Sequence, residues 1–153
     1  MAWVDVLRGQ VVGLDTTPII YFIEKHPDYV NIIRPFFKAV KNGECEVVTS
    51  TVTLLETLVR PLRLGDKYYV EKYRTILLRT KGLKTVPVSA EIAEVAASLR
   101  AKHNIQFADA IEMATAIKGG ASFFLTNDLA LPSLPTLKVL TLEALKKNSE
   151  TTK

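Results

Sequence analysis

The chain of 153 residues is 48% hydrophobic and 24% charged, with 7 Gly and 7 Pro. This is the composition of a globular domain and excludes a disordered or fibrous chain. One Cys and two His exclude a disulfide framework and a Cys-rich zinc site, so any metal must be held by oxygen ligands. The net charge of +4 is unevenly spread: residues 60–84 carry +6, which leaves −2 for the remainder.

From Met1 to Arg8 there is no apolar run of signal-peptide length, and no later stretch approaches the roughly 20 apolar residues of a membrane span. A cytoplasmic protein without a membrane partner is expected. Trp3, flanked by Asp5 and Arg8, reads as an exposed lead-in. Apolar β-rich runs then alternate with segments of helical period. A strand over Val11 to Leu14 is followed by helices over Thr17 to Lys25 and Asp28 to Lys41. A strand over Cys45 to Thr49 is followed by a helix to about Leu64 and another over Asp66 to Thr80. Next come a strand over Lys84 to Val88 and helices over Ser89 to His103 and about Phe107 to Lys118. Strands over Ser122 to Thr126 and Leu137 to Leu140 precede a polar tail, Lys146 to Lys153.

Thr17 and Pro18 supply an N-cap and a first helical residue, while Asn42-Gly43, Gly82 and Gly119-Gly120 stand where helices should stop. The strands are nearly continuous apolar runs, as parallel strands covered on both faces are. Together these features predict one domain, α/β in class: a three-layer α/β/α arrangement around a central parallel sheet of about five strands. Ligands of such sheets bind beyond the carboxyl ends of the strands.

The polar residues at those positions are acids. Asp15 ends the first strand, Glu56 lies about two turns into the helix after the second, Asp109 opens the helix before the fourth, and Asp128 follows the fourth. Each has a local explanation. Asp15 would cap a helix, Glu56 stands three residues after Thr53 at capping-box spacing, Asp109 suits the first turn of a helix, and Asp128 suits a turn. Apolar neighbours Leu54, Leu55 and Leu58 place Glu56 near the buried side. On one rim, however, four carboxylates repel one another and take up protons unless a cation compensates them. Oxygen ligands alone suit Mg²⁺ or Mn²⁺, whose chemistry at a carboxylate site is the polarisation of a phosphate and activation of water for phosphodiester hydrolysis.

The runs Gly13-Leu-Asp15-Thr16, Thr51-Val-Thr-Leu-Leu-Glu56, Phe107-Ala-Asp109-Ala and Phe124-Leu-Thr-Asn-Asp128 resemble, in order and spacing, the four motifs of PIN-domain nucleases. The resemblance covers about residues 10 to 141, and the size is similar to that of the VapC-type toxins of toxin–antitoxin pairs. It implies a PIN-like fold and a Mg²⁺- or Mn²⁺-dependent endoribonuclease that cuts single-stranded RNA and has an antitoxin partner. It assigns Asp15, Glu56, Asp109 and Asp128 as metal ligands, Thr126 as a polar helper and Thr16 as the hydroxyl residue after the first Asp. Leu-Ala-Leu-Pro after Asp128 departs from the pattern and puts a second metal site in doubt. Glu112, one turn after Asp109, reads as a solvated helix residue rather than a further ligand.

The basic window interleaves its cations with Tyr68, Tyr69 and Tyr73. Arg60, Arg63, Lys67 and Lys72 are candidates for the RNA backbone, with the tyrosines stacking on bases. An amphipathic helix with solvated cations explains the same pattern, and a homodimer face, which the resemblance favours, is a third reading. His26, His103 and Cys45 read as structural, and Gly119-Gly120 lacks the features of a phosphate loop. The rival functions are an RNA- or protein-binding PIN-like module without cleavage and a small-molecule phosphate enzyme.

Overall fold

A computed structural model describes residues 2–151. Five parallel strands, β1 (Val11–Leu14), β2 (Glu46–Ser50), β3 (Leu83–Val86), β4 (Phe123–Thr126) and β5 (Lys138–Thr141), form a sheet in the order β3-β2-β1-β4-β5. The helices are α1 (Thr16–Ile23), α2 (Val30–Lys41), α3 (Thr51–Leu64), α4 (Lys67–Arg79), α5 (Ala90–His103), α6 (Phe107–Lys118) and α7 (Leu142–Thr151). The arrangement is the expected α/β/α class.

Strand alternation divides the core into two. Val12, Leu14, Val47 and Leu125 face one apolar layer, built with Ile19, Ile33, Phe36, Tyr73 and Leu77. Val48 and Phe124 face the other, built with Ile92, Leu99, Met113 and the alanines of α6. Gly13 pairs with Val48 and Phe124 in the middle of the sheet. A Cβ there would stand 2.4 Å from Ala116 Cβ and 2.9 Å from Phe124 Cδ1, so α6 lies directly on the glycine. The chain runs outward from β1 to β2 and β3, then returns past β1 to β4 and β5. The order therefore reverses between β1 and β4, and a crevice opens beyond their carboxyl ends.

Several local expectations need correction. The first helix begins at Thr16, because Asp15 rather than Thr17 caps it. Pro18 is still tolerated, since the first-turn N–H groups have no partner within the helix. The segment around Trp3 is packed instead of exposed: Trp3–Leu7 forms a 3-10 helix, Leu7 is buried, and the Trp3 indole N–H donates to the Ile32 carbonyl at 3.2 Å and stacks on Phe36. The supposed polar tail is helical as far as Thr151; Thr152 and Lys153 lie outside the described residues. Leu142 of α7 is buried, the Glu143 N–H donates to Asn127 Oδ1 at 3.0 Å, and the Tyr29 hydroxyl donates to the Glu143 carboxylate. The loop after β4 is thus tied to α7 and through it to the start of α2. Among the described residues no helix is long and apolar enough to cross a membrane.

Candidate active site

The switch-point crevice is built from four chain segments. At the end of β1, Asp15 turns the chain into α1, accepting from its neighbour Thr16 N at 2.8 Å through Oδ1. Its other oxygen accepts from the Thr126 hydroxyl, at the end of β4, at 2.7 Å. Thr126 in turn accepts from the Asp128 N–H at 3.0 Å, so one buried hydroxyl sets both the rotamer of Asp15 and the turn that carries Asp128. Asp128 Oδ1 accepts from Ala130 N at 2.9 Å, which closes that turn. Asp109 lies in the first turn of α6, where the helix dipole favours a negative charge.

Glu56 stands on an exposed face of α3 rather than near the buried side, because Thr53 and Thr57 occupy the inward positions of that helix. It is nonetheless held, accepting from the Thr16 hydroxyl at 2.8 Å.

The acids face one another electrostatically. Burial is the main cause that raises the Asp109 carboxyl to about 7, with the charges of Asp15 and Asp128, a hydrogen bond shared with Asp128 and the charge of Glu56 adding to it. Asp15, only 6% exposed, is also raised by burial, against the pull of its bonds from Thr126 and Thr16, and the charges of Glu56 and Asp128 push in the same direction. All four proposed carboxylates therefore contribute to one field. Among the described residues no three acid, His or Cys side chains come close enough to ligate one ion together. An all-oxygen set of this kind fits an ion held by one or two carboxylates that retains its water, as Mg²⁺ commonly does.

A pH dependence follows. Asp109 binds its proton more tightly in the folded chain than in the unfolded one, so ionising it opposes folding. Without added divalent metal, stability should be greatest at low pH with respect to this group and should fall as pH rises from about 4 through about 7. Urea unfolding at pH 5 and pH 8 checks this: Asp109→Asn should reduce the difference between the two midpoints.

Sequence reasoning also misread a buried acid here. Glu112 is 2% exposed instead of solvated. It accepts from the hydroxyls of Ser50 and Thr53 and lies 3.0 Å from that of Thr49. A signal was present, because residues 110–116 are apolar or small apart from this acid and Thr115, the mark of a helix buried all round.

Arg60 and Arg63 follow Glu56 at helical spacing on α3, so one exposed face carries acid and then base away from the crevice. Lys67 and Lys72 are exposed on α4. Tyr73 of the same helix is fully buried, with its hydroxyl donating to Glu24, so it is not a base-stacking group. Tyr69 is partly buried and Tyr68 is 66% exposed. Of the two histidines, His26 packs at a tilt against Tyr21 and Tyr29, which stack on each other, and His103 lies in the last turn of α5; Cys45 is buried.

The fold and crevice define an α/β protein with a carboxylate site at the switch point of a parallel sheet. Residues 12–136 match the PIN domain family, and the chain belongs to that family. Among solved structures it is similar to VapBC2 from Rickettsia felis bound to a DNA fragment from their promoter, with 20% identity, a TM-score of 0.67, and 86% of this chain and 98% of that chain covered. It is also similar to a toxin-antitoxin complex from Klebsiella pneumoniae, with 21% identity, a TM-score of 0.61, and 86% and 97% covered. DNA-bound VapBC from Salmonella typhimurium gives 16% identity, a TM-score of 0.60, and 87% and 98% covered. No curated protein matches.

Proposed function

We propose that this PIN-domain protein is a VapC-type toxin: a Mg²⁺- or Mn²⁺-dependent endoribonuclease that cuts single-stranded RNA in the cytoplasm and is restrained by an antitoxin. The observation that carries the reading is the raised carboxyls of Asp15 and Asp109 at the switch point, on each of which burial and the charges of Glu56 and Asp128 act. Membership of the PIN family and the fold shared with toxin–antitoxin complexes support it.

One or two of the carboxylates Asp15, Asp109 and Asp128 would hold the ion directly, and the others, with Glu56 at the edge, would reach it through its retained water. When bound, the ion would supply Lewis acidity to the phosphate and activation of a water. The chain's own groups orient the ligands: Thr126 fixes Asp15, and Thr16 fixes Glu56. Arg60, Arg63, Lys67 and Lys72 offer positive charge along the path of a polyanion approaching the acids. The exposed apolar row Leu55, Val59 and Leu62 on α3 supports protein partners, a second copy of the chain and the antitoxin.

The test is cleavage of a labelled single-stranded RNA with Mg²⁺ or Mn²⁺, abolished by chelation. The double variant Arg60→Ala/Arg63→Ala should bind RNA about tenfold more weakly and lower the slope of log affinity against log salt by about 1.4, from about 0.7 for each lost single-strand contact. An unchanged slope removes these arginines from the RNA path. RNA binding without cleavage, and indifferent to Mn²⁺, would establish the non-catalytic PIN module instead.

A further inference from the structure

Below the acids lies a chain of hydrogen bonds that the nuclease reading does not use. It starts at the buried Glu112 of α6, which accepts from Ser50 through Oε1 and contacts Thr53 through Oε2. Thr53 Oγ1 lies 3.2 Å from Thr16 Oγ1, and Thr16 Oγ1 lies 2.8 Å from Glu56 Oε1. Thr49 Oγ1 closes the inner end, 2.9 Å from the Leu14 carbonyl, 2.9 Å from Thr53 Oγ1 and 3.0 Å from Glu112 Oε2. The chain thus joins three elements, α6, α3 and α1, and ends on the one site carboxylate that stands on an exposed helix face.

Counting hydrogens gives this chain a direction. A hydroxyl has one proton to donate. With Glu112 ionised, Thr53 donates inward to it and Thr16 donates outward to Glu56, so the contact between the two threonines holds no hydrogen. With a proton on Glu112 Oε2, donation runs one way, from Glu112 to Thr53, from Thr53 to Thr16 and from Thr16 to Glu56. Each link from Glu112 to Glu56 then carries one hydrogen, and Thr49 donates its own to the Leu14 carbonyl, so its contacts with Thr53 and Glu112 hold none. Aligned chains of this kind reinforce their members.

We propose that Glu112 is a positioning residue, which through Thr53 aims the Thr16 hydroxyl at Glu56 and so fixes that carboxylate toward the crevice. Burial raises the Glu112 carboxyl to about 7, against the hydrogen bonds from Ser50, Thr53 and Thr49, so the proton-bearing form is accessible near neutral pH. The proposal rests on the metal-dependent reading of the site. Glu56 has little else to restrain it, because its helix face is open, and a carboxylate that rotates freely contributes less to an ion than one held in place.

The experiment uses the full chain and three variants, with folding checked by circular dichroism and Mn²⁺ binding by calorimetry. Thr53→Val removes the central hydroxyl at nearly constant shape, Glu112→Met removes the inner end, and Glu112→Gln replaces the donating carboxyl with an amide N–H donor. Thr53→Val and Glu112→Met should weaken Mn²⁺ binding about tenfold. Glu112→Gln should stay within about twofold of the native chain. In the metal-free protein the side-chain carboxyl ¹³C resonance of Glu56, assigned through Glu56→Gln, should move in Thr53→Val and not in Glu112→Gln. If Glu112→Met does not fold, Thr53→Val alone carries the comparison. Native Mn²⁺ affinity in Thr53→Val, or an equal loss in Glu112→Gln, overturns the relay. The metal-dependent reading survives such a result when Asp15→Asn still abolishes Mn²⁺ binding. A native chain that binds no Mn²⁺ overturns both.

Discussion

Asp109→Asn should lower RNA cleavage by about 10³-fold while leaving the fold intact, a loss of about 4 kcal/mol of transition-state stabilisation. The replaced group lies where the charges of Asp15, Asp128 and Glu56 meet, and its carboxyl is raised to about 7 by burial and by those charges. An amide keeps the shape of the side chain but removes its charge, so the loss should fall on catalysis and metal binding, not on packing. Stability above pH 7 should be equal to the native value or higher, since a carboxylate whose ionisation opposes folding has gone. Asp15→Asn makes a matching pair. The remaining side-chain oxygen can still accept from Thr16 N as a helix cap, so α1 should persist while activity is lost. Single-turnover cleavage with Mn²⁺, read beside a thermal melt, decides the matter. Full activity in purified Asp109→Asn, free of contaminating nuclease, would sink the assignment of the site.

The second large effect is expected in stability and comes from a methyl group. Gly13→Ala places a Cβ 2.4 Å from Ala116 Cβ and 2.9 Å from Phe124 Cδ1. Phe124 can turn its ring slightly, but Ala116 is already the smallest side chain with a Cβ, so α6 itself must move away from β1 and β2. Overpacking of this kind costs about 3 kcal/mol, which for a domain of this size lowers the melting temperature by about 10 °C. Because Asp109 is carried by the same helix, residual activity should fall by more than the folded fraction alone explains. Unchanged melting in Gly13→Ala would mean that the contact between α6 and the sheet is looser than the structure has it.

The parts of the fold that were legible in the sequence are those where periodicity and punctuation agree. Residues Phe107 to Lys118 have an apolar run long enough for a helix and a glycine pair to stop it, and α6 has those bounds. Val11 to Leu14 is likewise β1. The start of α1 was obscured by competing caps, because Asp15, Thr16 and Thr17 all suit that position and only the strand's end shows which one turns the chain. Helix α7 was hidden by composition: Leu142 is its one fully buried side chain among the described residues, too sparse a signal against the charges of 143–147.

Three of the four proposed acids, Asp15, Asp109 and Asp128, stand out in the sequence because they lie at a strand end or a helix start, positions that topology brings to one rim; Glu56, in the second turn of α3, stands on the opposite side of its helix from the one its apolar neighbours predict. Glu112 was not legible, for a geometric reason. Helical spacing places it one turn from Asp109, on the same face, but does not say how deep that face lies. The rim ends between the two residues: Asp109 is half-buried at the opening, and Glu112 is enclosed between α6 and the start of α3. Depth came from the tertiary packing of β2 and α3 against the helix, with Thr49, Ser50 and Thr53 supplying the cage.

The bracing of the loop after β4 has a consequence for the order in which the protein is made. Asn127, next to Asp128, is held by Glu143, and Glu143 by Tyr29, partners separated by 16 and 114 positions in the chain. A ribosome delivers residues from the amino end, so the first three acids and most of the sheet emerge before the anchor of the fourth exists. Thr126 and Ala130 can form the turn at Asp128 earlier, but the brace that ties its loop to α7 forms only after residue 143 has left the exit tunnel. A nascent chain should therefore form its sheet before the loop that carries Asp128 is braced, so the candidate site is the last part of the domain to become rigid.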